Sequence, residues 1–326
     1  MKFNCIICHY GEIALKGKNR KIFEEELTEN IKRATNPSFY KKVKRIEGRI
    51  LIELKDDYKE KEMEESLKKV FGLTSFSFAF LVEQKIEALQ KKALELIKIE
   101  RPKSFKIFAK RSKKDFPLTS PQINEKVGAY VLQMAKGKLQ IDKDKKIQTE
   151  LKVDLENPEL TCFIEIVQHY AFVYLKKIEG LGGFPVGVSG KAVSLISGGI
   201  DSPVASFLAQ KRGIELVFVH FHAYPYVDKA SLEKVEKLVK ALNKYQFSSK
   251  LYLIPFAEIQ KEILLKTKPS LRVLFYRRFM FKIAEQIAQK EKAKVLITGE
   301  NIGQVASQTL ENISVIEEAI ALPALR

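Results

Sequence analysis

No run of eighteen apolar residues occurs anywhere in the 326 positions, so no segment is read as a membrane-spanning helix. The N-terminus, Met1-Lys2-Phe3-Asn4, lacks the apolar core and cleavage site of a signal peptide. Cysteine is scarce. Cys5, Cys8 and Cys162 make no disulfide framework, which points to a reducing cytoplasm. Cys5-Ile6-Ile7-Cys8-His9 matches the spacing of a haem-attachment site. The run reads instead as a buried strand with its two thiols on opposite faces, and no second ligand pair follows to build a zinc site. Internal repeats and low-complexity tracts are also missing. Finally, no glycine loop is followed by Lys and Ser or Thr, which excludes the common phosphate loop.

What is present begins with charge. The chain carries 57 Lys and Arg against 40 Asp and Glu, a net charge of +17. Residues 1–177 hold a basic surplus of 11, and residues 178–326 a surplus of 6. A surplus of this kind suits a polyanion, either nucleic acid or an acidic membrane surface, although a generally lysine-rich composition produces it too. Hydrophobic content of 45% is that of a globular protein, and the length suggests two or three domains.

One stretch organises the rest: Ser197-Gly198-Gly199-Ile200-Asp201-Ser202-Pro203. The run Ala192–Ile196 before it is β-branched and apolar, suiting a buried strand, and the spacing after it suits a helix. Ser202 is expected to cap that helix, with Pro203 in its first turn. Two glycines let the backbone approach a ligand and present successive N–H groups, while the helix dipole adds its own preference for negative charge. The stretch resembles the pyrophosphate loop (PP-loop) of ATP pyrophosphatases. Asp201, its one carboxylate, suits a Mg2+ contact and the catalytic role.

Ahead of this loop, the period predicts a strand over 3–9 and a helix over 19–34 with Ile22, Phe23, Leu27 and Ile31 on one face. Strands follow over 43–47 and 49–54, then a helix over 60–71. Phe76, Phe78 and Phe80 alternate with Ser75, Ser77 and Ala79, predicting a strand with one apolar face. The order β-α-β-β-α-β is that of a ferredoxin-like unit. A second unit has helices over 84–98 and 122–135 and strands over 104–111, 149–155, 160–167 and 170–175. In it Lys106, Lys110, Arg111, Lys113 and Lys114 interleave with Phe108 and Phe116, a pattern for neutralising phosphates and packing on nucleotides, although each phenylalanine taken alone reads first as core. Residues 105–120 resemble the THUMP RNA-binding module of tRNA-modifying enzymes. A glycine-rich connector, 180–190, leads into the loop domain.

Beyond the loop, strands at 215–221, 250–255 and 294–298 alternate with helices at 229–245 and 271–290. That order predicts a parallel, doubly wound sheet with its ligand at the carboxyl ends of the strands. Phe221 is positioned to flank an adenine and His220 to hydrogen-bond near it. Arg277 and Arg278 are candidates for phosphates. Gly299 and Glu300 follow the fourth strand, and Gln304 and Gln308 are expected on one face of the next helix, with Ser307 beside them.

Gly11-Glu12, Leu15-Lys16-Gly17, residues 105–120, Gly187–Lys191, Ser197–Pro203, Val219–His222 and Thr298–Leu310 occur in this order. Together they resemble the tRNA 4-thiouridine synthetase family (ThiI) over essentially the whole chain. The resemblance implies an α/β multidomain protein. It has an N-terminal ferredoxin-like α+β domain (1–81), a THUMP α/β domain (82–178) and a C-terminal doubly wound, Rossmann-like PP-loop domain (179–326). It implies ATP held by Leu195 and Ile196, the loop residues Ser197, Gly198, Gly199, Asp201 and Ser202, and His220, Phe221, Arg277, Gly299 and Gln308. It also implies adenylation of a tRNA uridine, position eight, at its C4 oxygen with loss of pyrophosphate. A persulfide sulfur from a cysteine desulfurase or another carrier then displaces AMP. A homodimer, and a second role in thiazole synthesis for thiamine, come with the resemblance. An RNA-binding protein with a degenerate nucleotide site is the competing reading. The chain departs from the family pattern after Arg326, where members continue to a sulfur-handling cysteine; truncation of this chain is one expectation.

Overall fold

A computed structural model describes residues 2–112, 115–136, 151–224, 226, 230–303 and 308–326. The elements run β1 (Cys5–His9), α1 (Arg20–Ala34), β2 (Tyr40–Ile46), β3 (Arg49–Leu54), α2 (Glu60–Leu67) and β4 (Ser75–Val82). Next come α3 (Ile86–Glu100), β5 (Ser104–Arg111), α4 (Ser120–Lys136), β6 (Lys152–Val153), β7 (Leu160–Val167), β8 (Tyr170–Tyr174) and β9 (Ile178–Glu179). The remainder is β10 (Lys191–Leu195), α5 (Asp201–Lys211), β11 (Glu215–His222), α6 (Ala230–Gln246), β12 (Leu251–Pro255), α7 (Ala257–Lys266), α8 (Arg272–Glu291), β13 (Leu296–Ile297), α9 (Leu310–Glu317) and β14 (Ala324–Leu325). The chain divides into two compact units. The first is residues 1–14, 35–68 and 73–180; the second is 15–34, 69–72 and 181–326.

The first unit is built on one sheet in the order β2-β3-β1-β4-β8-β7-β5-β6, with β9 beside β4. The ferredoxin-like strands β2-β3-β1-β4 are antiparallel. β4 continues the sheet into the next strands by pairing with β8, so the sheet crosses residue 81 without a break. This explains a departure from the expected pattern. β4 is buried on both faces, Ser75 and Ser77 included, where one apolar face was predicted. One face of β1, β3 and β4 packs Cys5, Ile7, Leu51 and Ala79 against Val167, Phe172 and Tyr174. Cys162 lies in the separate core formed by β5, β7, α3 and α4, where burial pushes its thiol up to about 12. Burial likewise takes Cys5 to about 12 and Cys8 higher, so none of the three is a poised nucleophile. Phe116 belongs to the same core as Cys162, which corrects its reading as a nucleotide contact.

The second unit holds a five-stranded sheet in the order β12-β11-β10-β13-β14, every pair parallel. Alternation along β10 sends Val193 to one face and Ala192 to the other. Val193 meets Phe281, Ala284 and Ala288 of α8 and Ile316 of α9. Ala192 joins Val235, Val239 and Leu242 of α6. Helices therefore cover both faces, as the doubly wound reading requires. Helix α7 and strand β14 were not predicted; β14 is two residues long, too short for a periodic signal. Helix α1 belongs to this unit, with Leu27 and Ile31 buried as expected, but Ile22 is 59% exposed.

Candidate functional site

In a parallel sheet the strand order reverses at one point, and the carboxyl ends there leave a crevice. Here it opens between β10 and β13. The glycine loop leaves β10, and Thr298, Gly299 and Glu300 leave β13. The cavity between them has a volume of about 440 Å³ and is lined by Leu195, Ser197, Asp201, Ser202, Arg277, Gly299, Glu300 and Gln308, among others. Seven of these eight are predicted nucleotide-site residues; Glu300 was noticed only for its place after a strand.

The loop braces itself. Helix α5 starts at Asp201, two residues earlier than a Ser202 cap would allow, and no side chain caps it. Ser202 therefore sits inside the first turn, and its hydroxyl turns back to accept the Ser197 N–H at 2.8 Å. The two hydroxyls lie 3.0 Å apart, and the Gly199 N–H donates to Ser197 Oγ at 3.2 Å. These bonds fix the loop while the uncapped helix start faces the cavity. Gly299 has a steric reason to be glycine. A Cβ there would lie 2.4 Å from the Ser202 amide nitrogen, so the end of β13 presses directly on the start of α5.

Other predicted residues divide into those that face the crevice and those that support it. Ile196 points into the core on the α6 face and contributes its main chain. Its carbonyl accepts from His220 Nδ1 at 2.9 Å. A carbonyl only accepts, so Nδ1 carries the proton, and Nε2 is left to accept from the Ser231 hydroxyl at 3.4 Å. Burial holds His220 below the usual histidine range, which keeps the ring neutral. His220 thus supports the end of β10 with both nitrogens engaged. Phe221 lines a smaller cavity of about 160 Å³ with His222, Tyr224 and Phe256. Arg277 pairs with Glu300. Arg278 turns away to Glu318 and the Val315 carbonyl, so it is not a phosphate candidate. Gln308 is buried and lies just ahead of α9. Gln304 and Ser307 fall outside the described residues. Sequence reasoning missed Lys234 of α6, whose side chain passes 3.4 Å from the Cβ position of Gly198. Only the fold brings that lysine to the loop.

In the first unit, β5 carries the basic candidates. Lys106 and Lys110 share a face with Phe108, which is 51% exposed and meets Phe163 edge to face. Arg111 donates to the Phe116 carbonyl at 3.1 Å. Lys113 and Lys114 fall outside the described residues. Among the described residues, no group of three metal-ligating side chains gathers, and no helix is long and apolar enough to cross a membrane.

Comparison with known proteins gives this arrangement relatives. The family model described as thiamine biosynthesis protein (ThiI) matches residues 187–326, a ThiI ferredoxin-like domain matches 5–77, and a THUMP domain matches 83–176. A curated protein from Moorella thermoacetica named as a tRNA sulfurtransferase is 40% identical over 99% of this chain and 79% of its own length. One from Thermoanaerobacter, so named, is 42% identical over 98% and 80%. Among solved structures, a 4-thiouridine synthetase–RNA complex with bound ATP matches with a TM-score of 0.85 and 37% identity, covering 100% of this chain and 81% of that one. PH1313 from Pyrococcus horikoshii matches at 0.75 and 28%, covering 99% and 93%. At this identity and coverage, the chain belongs to the ThiI family.

Proposed function

We propose that this chain is an ATP-dependent tRNA sulfurtransferase that converts the tRNA uridine at position eight to 4-thiouridine. The observation that carries the reading is a self-braced glycine loop at the switch point of a parallel sheet, in a chain 37% identical to a 4-thiouridine synthetase holding ATP and RNA. In this reading, Ser197, Gly198, Gly199 and Ser202 hold the phosphates with Arg277. Leu195, Phe221, Gly299 and Gln308 enclose the rest of ATP, and Ile196 and His220 shape the strand end behind it. The uridine C4 oxygen attacks the α-phosphorus, and pyrophosphate leaves. Amides at a helix start stabilise the charge on that leaving group without having to reorganise.

Asp201, with hydroxyls from Ser197 and Ser202 on the same cavity, is an oxygen donor set that fits Mg2+. The ion would neutralise phosphate charge there. The terminal persulfide sulfur of a cysteine desulfurase, or of another carrier, then attacks C4 and displaces AMP, and a further thiol of the sulfur-delivery partner cleaves the resulting disulfide, leaving sulfur on C4 and a disulfide on the carrier. Lys106, Lys110 and Arg111, with Lys113 and Lys114, neutralise tRNA phosphates beside Phe108. Residues 82–178 thus bind RNA, and 179–326 adenylate it. The exposed apolar residues Leu265, Val273, Phe275 and Phe279 on α7 and α8 favour a homodimer. Three unpaired thiols suit the cytoplasm. Sulfur supply for thiazole synthesis is a second reading, favoured by the family description matched over 187–326.

The test follows labelled sulfur into tRNA with ATP, Mg2+, a cysteine desulfurase and this protein. 4-Thiouridine at position eight is expected. Folded protein that releases no pyrophosphate with tRNA would sink the proposal in favour of a degenerate site. Pyrophosphate release without thiolated tRNA would move the substrate elsewhere.

A further inference from the structure

A carboxylate on the wall of a cavity that takes polyphosphate calls for an account, because like charge repels the ligand. Glu300 is that carboxylate. Its side chain is 9% exposed and faces the crevice beside Asp201. It is not left alone. Arg277 pairs with one oxygen, and Arg326 reaches the other at 3.2 Å. The Thr298 hydroxyl donates to that second oxygen at 3.4 Å. Arg326 is itself anchored to Glu317 at 2.6 Å. Arg277 lines the crevice with Ser197 and Ser202 of the glycine loop, whereas Arg326 lines an adjoining cavity that shares Asp201, Gly299 and Glu300 with it.

We propose that Glu300 is a positioning residue for adenylation, holding Arg277 in the crevice and sharing it with the phosphates of ATP when they arrive. The proposal rests on the reading of this crevice as the ATP site. Two physical arguments support it. A partly buried guanidinium is favoured by a counter-charge in the absence of an anion, and Glu300 supplies one. Releasing one partner from a buried carboxylate is costly only when it leaves the charge unpaired, and Arg326 and Thr298 prevent that. Glu300 therefore competes mildly with phosphate for Arg277 while fixing the direction of its fork.

The test measures ATP affinity by calorimetry on the whole chain, and single-turnover pyrophosphate release with tRNA. In Glu300→Gln the competitor is neutral, so ATP should bind at least about fivefold tighter. Pyrophosphate release should slow by about tenfold, because the fork has lost its charged anchor. Glu300→Asp should return both values toward the parent. In an Arg277→Lys background, Glu300→Gln should change ATP affinity by less than about twofold, since coupling through the fork is gone. Arg326→Gln removes one partner and leaves Glu300 paired with Arg277 and Thr298, so the carboxylate is not stranded. It should weaken ATP severalfold, because Glu300 then grips Arg277 alone; this variant carries the test if Glu300→Gln does not fold.

Weaker ATP binding in Glu300→Gln would overturn the proposal, as would an undiminished effect in the Arg277→Lys background. A raised Mg2+ requirement would assign the carboxylate to a metal instead. A parent protein that binds no ATP would overturn the reading of the crevice, and the proposal with it.

Discussion

Glu165, within β7, and Glu300, just past β13, are both buried carboxylates, with side chains 7% and 9% exposed, and they differ in what faces them. Glu165 of the first unit receives His9 at 2.8 Å, Tyr174 at 2.5 Å and both Arg49 nitrogens at 2.6 Å. Burial alone would raise its pKa. The bond and charge of His9, the charge of Arg49 and the Tyr174 hydroxyl outweigh that and bring it to about 2. These contacts come from β1, β3 and β8 of the same sheet, and they engage both carboxylate oxygens without a ligand. Glu300 also has several partners, but one of them lines a cavity built for anions. The number of partners does not separate a structural carboxylate from a functional one. What separates them is whether a partner can be claimed by something arriving from outside.

The largest effect expected from this contrast is on stability. Arg49→Ala strands a buried carboxylate and should cost about 3–5 kcal/mol in chemical denaturation. Replacing the pair together, Arg49→Met with Glu165→Leu, should recover much of that loss, because an apolar pair leaves no charge unpaired. The pH dependence has a fixed sign. Glu165 is more acidic folded than unfolded, so its contribution is complete above its ordinary value near 4.5. It fades as pH falls from there toward about 2, and Glu165→Gln should lack that slope. An Arg49→Ala protein as stable as the parent would erase the distinction drawn between the two carboxylates.

Sequence reasoning reached the two sites unevenly, for a physical reason. The glycine loop is local: strand, turn and helix lie within twenty residues, and their chemistry is written in adjacent letters. Ser197, Asp201 and Ser202 were accordingly legible in the loop itself, whereas the ATP roles of Leu195, Arg277, Gly299 and Gln308, which share its cavity, entered through the family resemblance. Lys234 and the Arg277–Glu300 pair were not legible, because they meet only across the sheet. The alternation in β4 was legible, yet it predicted one buried face where the continuous sheet buries two. Periodicity reports where apolar residues fall and is silent on what later covers a polar face. The Ser202 cap failed at smaller scale. A serine before Pro203 suits a cap by frequency, but its hydroxyl finds the Ser197 amide instead.

Next in size are changes at the crevice. Asp201→Ala should slow pyrophosphate release by roughly 10²–10³, with tRNA affinity unchanged. Gly299→Ala acts by sterics: its Cβ would meet the Ser202 nitrogen at 2.4 Å and force β13 from the start of α5. It should weaken ATP binding while leaving the first unit's Glu165 network and its pH slope intact. Equal loss of tRNA binding in either variant would mean that the two units do not divide the work as proposed.

The smallest effects belong to the open face of β5, where nothing is buried to be lost. Lys106 and Lys110 flank Phe108 on one face, and Phe108 is half exposed. Phe108→Ala should leave the unfolding midpoint nearly unchanged, since little apolar area leaves the core. If the ring packs on a nucleotide, the same change should weaken tRNA by about 1–3 kcal/mol. Lys106→Ala and Lys110→Ala should act differently. Each removes a phosphate contact, so each should lower the slope of log affinity against log salt by about one, whatever the RNA sequence. A Phe108→Ala protein with lowered stability and unchanged tRNA affinity would return this phenylalanine to the core beside Phe116. The basic face would then bind by charge alone.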